Sequence, residues 1–453
     1  MKMQLSEIAF CVNGHLSGKD KEVSAVSIDT RTLEVGDLYI AIKGQNFDGH
    51  SFIDKAEKAG ASAVLVEKKV ETAIPQIIVK DTHLALAELA EAWKNKAHVL
   101  AIAVTGSNGK TTVKEMIAAI VNIDANVLST KGNLNNDIGV PLTLLKLQQQ
   151  HQYAVIEMGA NHVGEIEYCS RYTQPDVAVI TNVSAAHIEG FGSLEAIARA
   201  KGEIIQSLND RGVVVLNKDD EFYKIWQELA GDRKVVTFGL NESVDFKAVE
   251  INSTIENNEF ITRYILLTNK DEVEIKLRLA GQHNVINALA AAASCSSVGI
   301  SLQQIKQGLE NLKPVTGRLQ PLVGERGNLV IDDTYNANPS SVKAALDVLI
   351  QCNGKPWVVL GALGEMGVNS ANIHKELGEL IKSMNVVRLL TIGSDAESTS
   401  RKFGVGATFF RSQEQLIKIL KQELKGDETI LVKGSRSQKM ENIVAELVTD
   451  FRK

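Results

Sequence analysis

The apolar run Val99–Val104 passes directly into Thr105-Gly106-Ser107-Asn108-Gly109-Lys110-Thr111-Thr112, and a helical pattern follows at once. In it Val113, Met116, Ile117, Ile120 and Val121 recur at i, i+3, i+4, i+7 and i+8, the spacing of one buried helix face. Glycines allow backbone N–H groups to close around an anion, and a helix N-terminus adds favourable partial charge. Strand, loop and helix together therefore read as a phosphate site, with Lys110 neutralising the β- and γ-phosphates of a nucleotide and the Thr111 hydroxyl reaching a Mg²⁺ ion. Only Ser107 and Asn108 separate Gly106 from Gly109, fewer residues than in the general phosphate-binding loop. An ordinary glycine turn with a solvated lysine is the alternative.

The unit predicts its surroundings. Apolar runs at Val99–Val104, Tyr153–Met158, Val177–Ile180 and Val213–Leu216 alternate with helical patterns, as in a parallel sheet covered by helices on both faces. Upstream, short β-rich runs around Val23–Ile28, Asp37–Ile42, Ala63–Val66 and Ile77–Val79, with a helical stretch at Phe52–Ala59, predict a small α/β module. A helix over Thr82–Lys94 opens the central segment, and Glu274–Leu279 followed by the alanine-rich Asn284–Ser297 reads as a strand leading into a buried helix. Pro314 and Gly317 then break the pattern. Beyond that linker, Leu329–Asp332, Ser340–Leu349, Trp357–Leu360, Val387–Ile392 and Thr429–Val432 predict a second, smaller doubly wound domain. The predicted class is α/β in three domains, 1–81, 82–313 and 314–453, consistent with 453 residues exceeding one ordinary core.

Charge and cysteine usage narrow the partners. With 49 basic and 55 acidic residues the net charge is −6, which removes the broad positive field of a nucleic-acid binder. Cys11, Cys169, Cys295 and Cys352 form neither a C-x-x-C pair nor a disulfide framework, which fits a reducing cytoplasm. Lys2, Gln4, Ser6 and Glu7 interrupt the first apolar positions, so no signal-peptide core is expected, and no apolar run is long enough to predict a membrane helix.

The shortened loop T-G-S-N-G-K-T-T resembles that of the Mur ligase and folylpolyglutamate synthase superfamily, and the resemblance to the Mur ligases continues along the chain. It implies that Thr105, Gly106, Ser107, Asn108, Gly109, Lys110, Thr111 and Thr112 cradle ATP. Glu157, in Glu157-Met158-Gly159-Ala160-Asn161, ends a predicted strand at the same carboxyl edge, where ligands of open α/β sheets bind, and matches the family's Mg²⁺-binding glutamate. His187, in the run Asn182–Gly192, matches a histidine that binds a second Mg²⁺, although this hard cation prefers oxygen. Lys201, in Ala198-Arg199-Ala200-Lys201-Gly202-Glu203, matches a lysine carried as a carbamate. Adding CO₂ turns an ammonium into an anion whose oxygens can hold the cations that a lysine would repel. By pattern alone these three are a rim glutamate, a surface histidine and a solvated helix lysine.

Substrate motifs enter through the same resemblance. Ser27, Asp29, Thr30 and Arg31 in Val26–Arg31, Lys43 and Gly44 in Gly36–Gly44, and Asp48 and His50 in Asp48-Gly49-His50 are similar to a UDP-binding domain of the family. Taken alone they are turn residues between short strands. Asn133, Asn135 and Asn136, in Asn133–Pro141, resemble a muropeptide-contacting loop that would otherwise be a capping turn. Asn284, in Gly281–Ala288, is implied at the nucleotide base or its flanking backbone, and Arg318, in Gly317-Arg318-Leu319, on an ATP phosphate, a use suited to a permanently charged, forked donor. Asp332–Pro339 resembles the branch that adds D-alanyl-D-alanine and brings Asp333, Tyr335 and Asn336 towards the nucleotide, while the residues themselves predict an N-cap cluster. Leu360–Gly367 and His374 resemble a loop facing the peptide substrate, and Lys433–Arg436 a strand-end loop near the active site. Ala362 stands where many relatives carry aspartate, so no catalytic role is assigned to it. The D-N-P-R motif of the diamino-acid-adding branch is missing.

The resemblance thus implies a cytoplasmic, monomeric, ATP-dependent ligase acting on UDP-N-acetylmuramoyl-tripeptide and D-alanyl-D-alanine through an acyl phosphate. Lys110, Glu157, His187 and Lys201 are its implied catalytic set, and Thr111, Glu157, His187 and carbamylated Lys201 its ligands for two Mg²⁺ ions. Closure about Lys313–Gly317 is expected to keep water from the intermediate. Another amide ligase of the superfamily, a phosphate-loop ATPase switch, and a nucleotide-binding scaffold without chemistry remain alternatives.

Overall fold

The computed structural model describes residues 1–44, 47–184, 188–241, 243–257 and 259–449. Its centre is a nine-stranded sheet in the spatial order Val127–Ser129, Tyr153–Glu157, Leu100–Thr105, Val177–Ile180, Val213–Asn217, Lys234–Gly239, Phe246–Glu256, Glu259–Thr268 and Glu272–Leu277. Side-chain alternation divides each central strand between two cores. Ile102, Val104, Val155, Val179 and Val215 face the helices Lys110–Val121 and Gln282–Ser297. Ala103, Ala154, Ile156, Ala178 and Leu216 face the opposite layer, which contains Thr82–Ala97, Glu165–Thr173 and Leu194–Gly202. In Gln282–Ser297 the fully buried Ala288 and Ala290 to Ala293 present small side chains, so this helix can lie close to Lys110–Val121.

The parallel run ends where Phe246–Glu256 turns back on Glu259–Thr268, and Glu272–Leu277 adds a further antiparallel strand. The sheet is therefore mixed, not purely parallel as expected. Phe246–Glu256 is exposed along much of one face, so it lacks the continuous apolar run that marks a doubly covered strand. Leu5–Cys11, Lys234–Gly239 and Ala407–Phe410 are further elements that the apolar patterning did not reveal.

A five-stranded sheet precedes the central one, in the order His15–Ser17, Gln76–Ile78, Ala63–Val66, Leu38–Ile40 and Val26–Ser27. Asp81 caps the helix Thr82–Ala97, its carboxylate accepting from the backbone N–H of His83 and Leu84 at 2.8 and 3.0 Å. Leu86, Leu89 and Trp93 of this helix join the two sheets in one continuous core. The carboxy-terminal sheet runs Gln320–Val323, Leu329–Asp333, Glu428–Lys433, Lys355–Gly361, Arg388–Ile392 and Ala407–Phe410, with only the first strand antiparallel to its neighbour.

Strand order places the site. Leu100–Thr105 lies between Tyr153–Glu157 and Val177–Ile180, and its helix leads out to the edge strand Val127–Ser129. The carboxyl ends of these neighbours open on the crevice where α/β sheets bind ligands.

Candidate active site

A cleft of about 920 Å³ lies over these strand ends. Its floor is the phosphate loop, whose shape depends on two glycines with positive φ. A Cβ on Gly106 would stand 1.9 Å from the Thr181 hydroxyl, and one on Gly109 2.3 Å from Asn287 Oδ1. The segment after Val177–Ile180 splints the loop. Ser107 N donates to the Asn182 carbonyl at 2.9 Å, Asn108 N to Asn182 Oδ1 at 3.0 Å, and Thr181 Oγ1 to the Asn108 carbonyl at 2.6 Å. Lys110 Nζ donates to the carbonyls of Gly106 and Ser107 at 2.7 and 3.2 Å. Burial lowers its pKa against the opposing attraction of Glu157. Thr105 departs from expectation: its buried hydroxyl donates to the Met158 carbonyl at 2.8 Å, so it joins two strand ends and does not face the cleft.

Glu157 is only 2% exposed yet lines the cleft. Its Oε1 accepts from Asn135 Nδ2 at 2.8 Å, while no described residue bonds Oε2, a buried carboxylate oxygen. Such an atom is costly without a partner, and a cation with phosphate ligands would supply one. Among the described residues no three His, Cys, Asp or Glu side chains gather into a protein-only metal cage. One buried carboxylate with a free oxygen beside a phosphate loop suits Mg²⁺, which takes one or two carboxylates and completes its shell with phosphate oxygens and water. Lys201, 1% exposed, lies with its Nζ 5.7 Å from the centre of the Phe191 ring. Burial, reinforced by the charge of Lys110, brings its pKa down to about 7. His187 lies outside the described residues.

The carboxy-terminal domain closes the other side. Arg318 donates to Thr111 Oγ1 at 3.0 Å and stacks 4.3 Å from the centre of the Tyr335 ring. Asn108 bridges the two walls: its Nδ2 donates to Ser340 Oγ at 3.0 Å, and its Oδ1 accepts from Asn338 Nδ2 at 2.7 Å. Asn338 also caps the helix Pro339–Leu349, accepting from Ser341 N at 2.9 Å, so the predicted capping cluster and the cleft wall are one structure. Asp333 is paired with the buried Lys433 at 2.6 Å, and Asn336 lines the cleft beside them. On the central side Asn284 donates to the Ala280 carbonyl at 2.7 Å and accepts from Asn287 at 3.2 Å. Asn182, Asn287, Ser340 and Lys433 had no individual role in the sequence reading; spatial convergence, which no local pattern encodes, brings them to the site.

The substrate candidates divide. Asn135 and Asn136 line the cleft, whereas Asn133 is not among its walls. None of the amino-terminal set lines it either. Ser27 Oγ donates to the Asp29 carbonyl at 3.0 Å, and Asp29 forms an ion pair with Arg31 at 2.6 Å that holds its carboxyl at about 2. Thr30 is half-buried in the same turn, and Lys43 and Gly44 are exposed. His50 bonds Asp48 Oδ1 through Nδ1 at 2.7 Å and accepts from Glu67 N through Nε2 at 3.0 Å, so both ring nitrogens serve the domain's own turn. His374 corrects another expectation: it is buried, bonds Thr399 Oγ1 at 2.8 Å and accepts from Leu363 N at 3.3 Å, pinning the loop from behind and not facing a substrate.

Three family models match in chain order: the Mur ligase family catalytic domain over residues 22–94, the Mur ligase middle domain over 104–295, and the Mur ligase glutamate ligase domain over 317–436. The chain is 44% identical to the UDP-N-acetylmuramoyl-tripeptide–D-alanyl-D-alanine ligase of Escherichia coli (strain K12), with 99% of this chain and 98% of that protein covered. A crystal structure of MurF from Acinetobacter baumannii superposes with a TM-score of 0.93 at 36% identity, covering 98% of each chain. MurF ligase from Thermotoga maritima in complex with ADP superposes with a TM-score of 0.84 at 28% identity, covering 94% of this chain and 97% of that one.

Proposed function

Because the chain belongs to the Mur ligase family, we propose that its cleft joins D-alanyl-D-alanine to UDP-N-acetylmuramoyl-tripeptide with ATP, in the synthesis of peptidoglycan precursors. One observation carries the chemistry: a glycine-shaped phosphate loop and Glu157, with its unpartnered buried oxygen, stand at neighbouring strand ends on one side of a cleft whose far wall is the carboxy-terminal domain. Full-length likeness to UDP-N-acetylmuramoyl-tripeptide–D-alanyl-D-alanine ligases supports the choice of acceptor.

A carboxylate oxygen of the tripeptide attacks the γ-phosphorus of ATP. That P–O bond forms as the β–γ bridging bond breaks, leaving ADP and an acyl phosphate. The dipeptide amine then attacks the acyl carbon, the bond to the phosphate oxygen breaks, and inorganic phosphate departs as the nitrogen loses its proton. Both steps crowd anions together, so positioning and charge neutralisation carry the catalysis. Lys110 meets the β- and γ-phosphates from the loop, and Arg318 approaches from the opposite wall. When bound, Mg²⁺ would supply positive charge that offsets the charge gathered on the reacting phosphates. Glu157 and Thr111 would hold one ion, and His187 with a carbamylated Lys201 a second. The neutral amine favoured by the lowered pKa of Lys201 is the form that adds CO₂, with loss of one proton to give the carbamate.

The sheets support domains at 1–81, 82–313 and 314–453, with the first holding the UDP end of the substrate and Lys313–Gly317 serving as the hinge. We infer a monomer with small-molecule substrates and, at a net charge of −6, no nucleic-acid partner; a cytoplasmic location suits the nucleotide substrates. No described helix is long and apolar enough to cross a membrane. Incubation with ATP and UDP-muramoyl tripeptide should release ADP on addition of D-alanyl-D-alanine. ADP release that follows diaminopimelate, or that needs no acceptor, would refute the proposal.

A further inference from the structure

Lys114 is a buried charge that the ligase reading leaves without a task. It lies one turn beyond Lys110 on the helix Lys110–Val121 and is 1% exposed. Its ammonium pairs with the Glu115 carboxylate and donates to the Thr130 carbonyl at 2.7 Å. A buried ammonium loses its hydration and is tolerated only with well-placed partners. A methionine here would fill similar space but leave the Thr130 carbonyl without its donor.

Thr130 is itself fully buried, at the point where the edge strand Val127–Ser129 gives way to the asparagine loop. Its backbone N–H donates to the Val155 carbonyl at 3.1 Å, and its hydroxyl accepts from Glu157 N at 3.0 Å. Asn135, five residues along the same loop, donates to Glu157 Oε1 at 2.8 Å, and its carbonyl accepts from Gly159 N at 2.8 Å. Glu157 is thus held at its backbone and at one carboxylate oxygen by a segment whose first residue is clamped by Lys114. Its other oxygen is buried without a bond from any described residue, in a side chain that lines the cleft.

We propose that Lys114 is a positioning residue for divalent-cation binding: by clamping Thr130 it fixes, through Thr130 and Asn135, the orientation of the Glu157 carboxylate. The inference rests on the proposed reading of Glu157 as a cation ligand. It differs from a plain stability role in what it affects, because loss of the clamp should loosen the cation more than the nucleotide.

The test is titration of the full-length protein with Mn²⁺ in the presence of ADP, followed by electron paramagnetic resonance, with ADP affinity in metal-free buffer and thermal melting measured alongside. Lys114→Met and Thr130→Val should each weaken Mn²⁺ binding by ~10-fold or more, the usual scale for partners that orient a metal ligand. Metal-free ADP affinity should stay at the wild-type value, and Lys114→Arg should recover most of the loss. Should Lys114→Met fail to fold, Lys114→Gln, which loses the ammonium but keeps a polar side chain, decides in its place, and Thr130→Val tests the link from Thr130 to Glu157. Wild-type Mn²⁺ affinity in the folded variants overturns the proposal, whatever their melting temperatures. If the wild-type protein itself shows no ADP-linked Mn²⁺ binding, the cation reading of Glu157 fails and this proposal falls with it.

Discussion

Around Lys110 most polar groups are held by a partner from another element, whereas around Arg31 the charged groups hold mainly one another. The phosphate loop is bonded to Asn182 behind it and, through Asn108, to Asn338 and Ser340 of the carboxy-terminal domain. Arg31 instead has a side chain 86% exposed and bonds Asp29, two residues away. The first region is preorganised by long-range contacts, as transition-state charge stabilisation requires. The second is a local turn whose side chains can exchange partners when a ligand arrives. Substitutions at the two ends should therefore differ in kind as well as in size.

The largest effect is expected at the loop. Lys110→Ala should cut acceptor-dependent ADP release by at least ~100-fold, the scale seen when a preorganised charge-stabilising donor is removed. Near-normal turnover would break the comparison at its stronger end.

Next comes Lys201, whose pKa of about 7 gives a pH signature. A carbamate signal from ¹³C-labelled bicarbonate should be strong above that pH and fade as the pH falls through it, because the protonated amine cannot add CO₂. The linked stability has a definite sign. Between about 7 and the ordinary lysine value of 10.5 the unfolded chain holds the extra proton, so CO₂-free protein should gain stability as pH rises across that window. Titrating the ¹³C signal and the denaturant midpoint against pH checks both.

Asn108→Ala removes two neutral hydrogen bonds between the domains, each worth ~1 kcal/mol, so the closed form should lose up to ~30-fold in population. Solution scattering should show a more open particle, with a raised KM for ATP. A particle as compact as the wild type would show that closure does not depend on this bridge.

The smallest effect belongs to Arg31→Ala. Exposed ion pairs contribute little to stability, so melting should be unchanged and KM for the UDP substrate should rise by no more than ~5-fold at constant kcat. A fall in kcat would mean that the amino-terminal turn takes part in the chemistry.

The same contrast governs how much could be read in advance. The strand Val177–Ile180 and the phosphate loop were legible because apolar runs, glycines and helical spacing are local signals. Glu157 could be placed at a strand end, but not recognised as buried with an orphaned oxygen, since that depends on Asn135 and Thr130 folding over it. His374 misled for the same reason: its partners Leu363 and Thr399 lie on other elements, and only their packing shows that it points inward. The strand Phe246–Glu256 was missed because one side of it faces water and breaks up its apolar run, and in its partner Glu259–Thr268 the residues Thr262 and Arg263 interrupt the apolar ones. Arg31 and His50 were chosen through resemblance alone. Their local turn was predictable from the pattern, but a ligand for it was not.

The central claim is that ATP activates the tripeptide carboxylate as an acyl phosphate, and isotope transfer tests it most directly. With both terminal carboxylate oxygens labelled with ¹⁸O, turnover with D-alanyl-D-alanine should deliver one labelled oxygen to inorganic phosphate and leave the other in the new amide carbonyl. Unlabelled phosphate, or label recovered in AMP, would contradict the account.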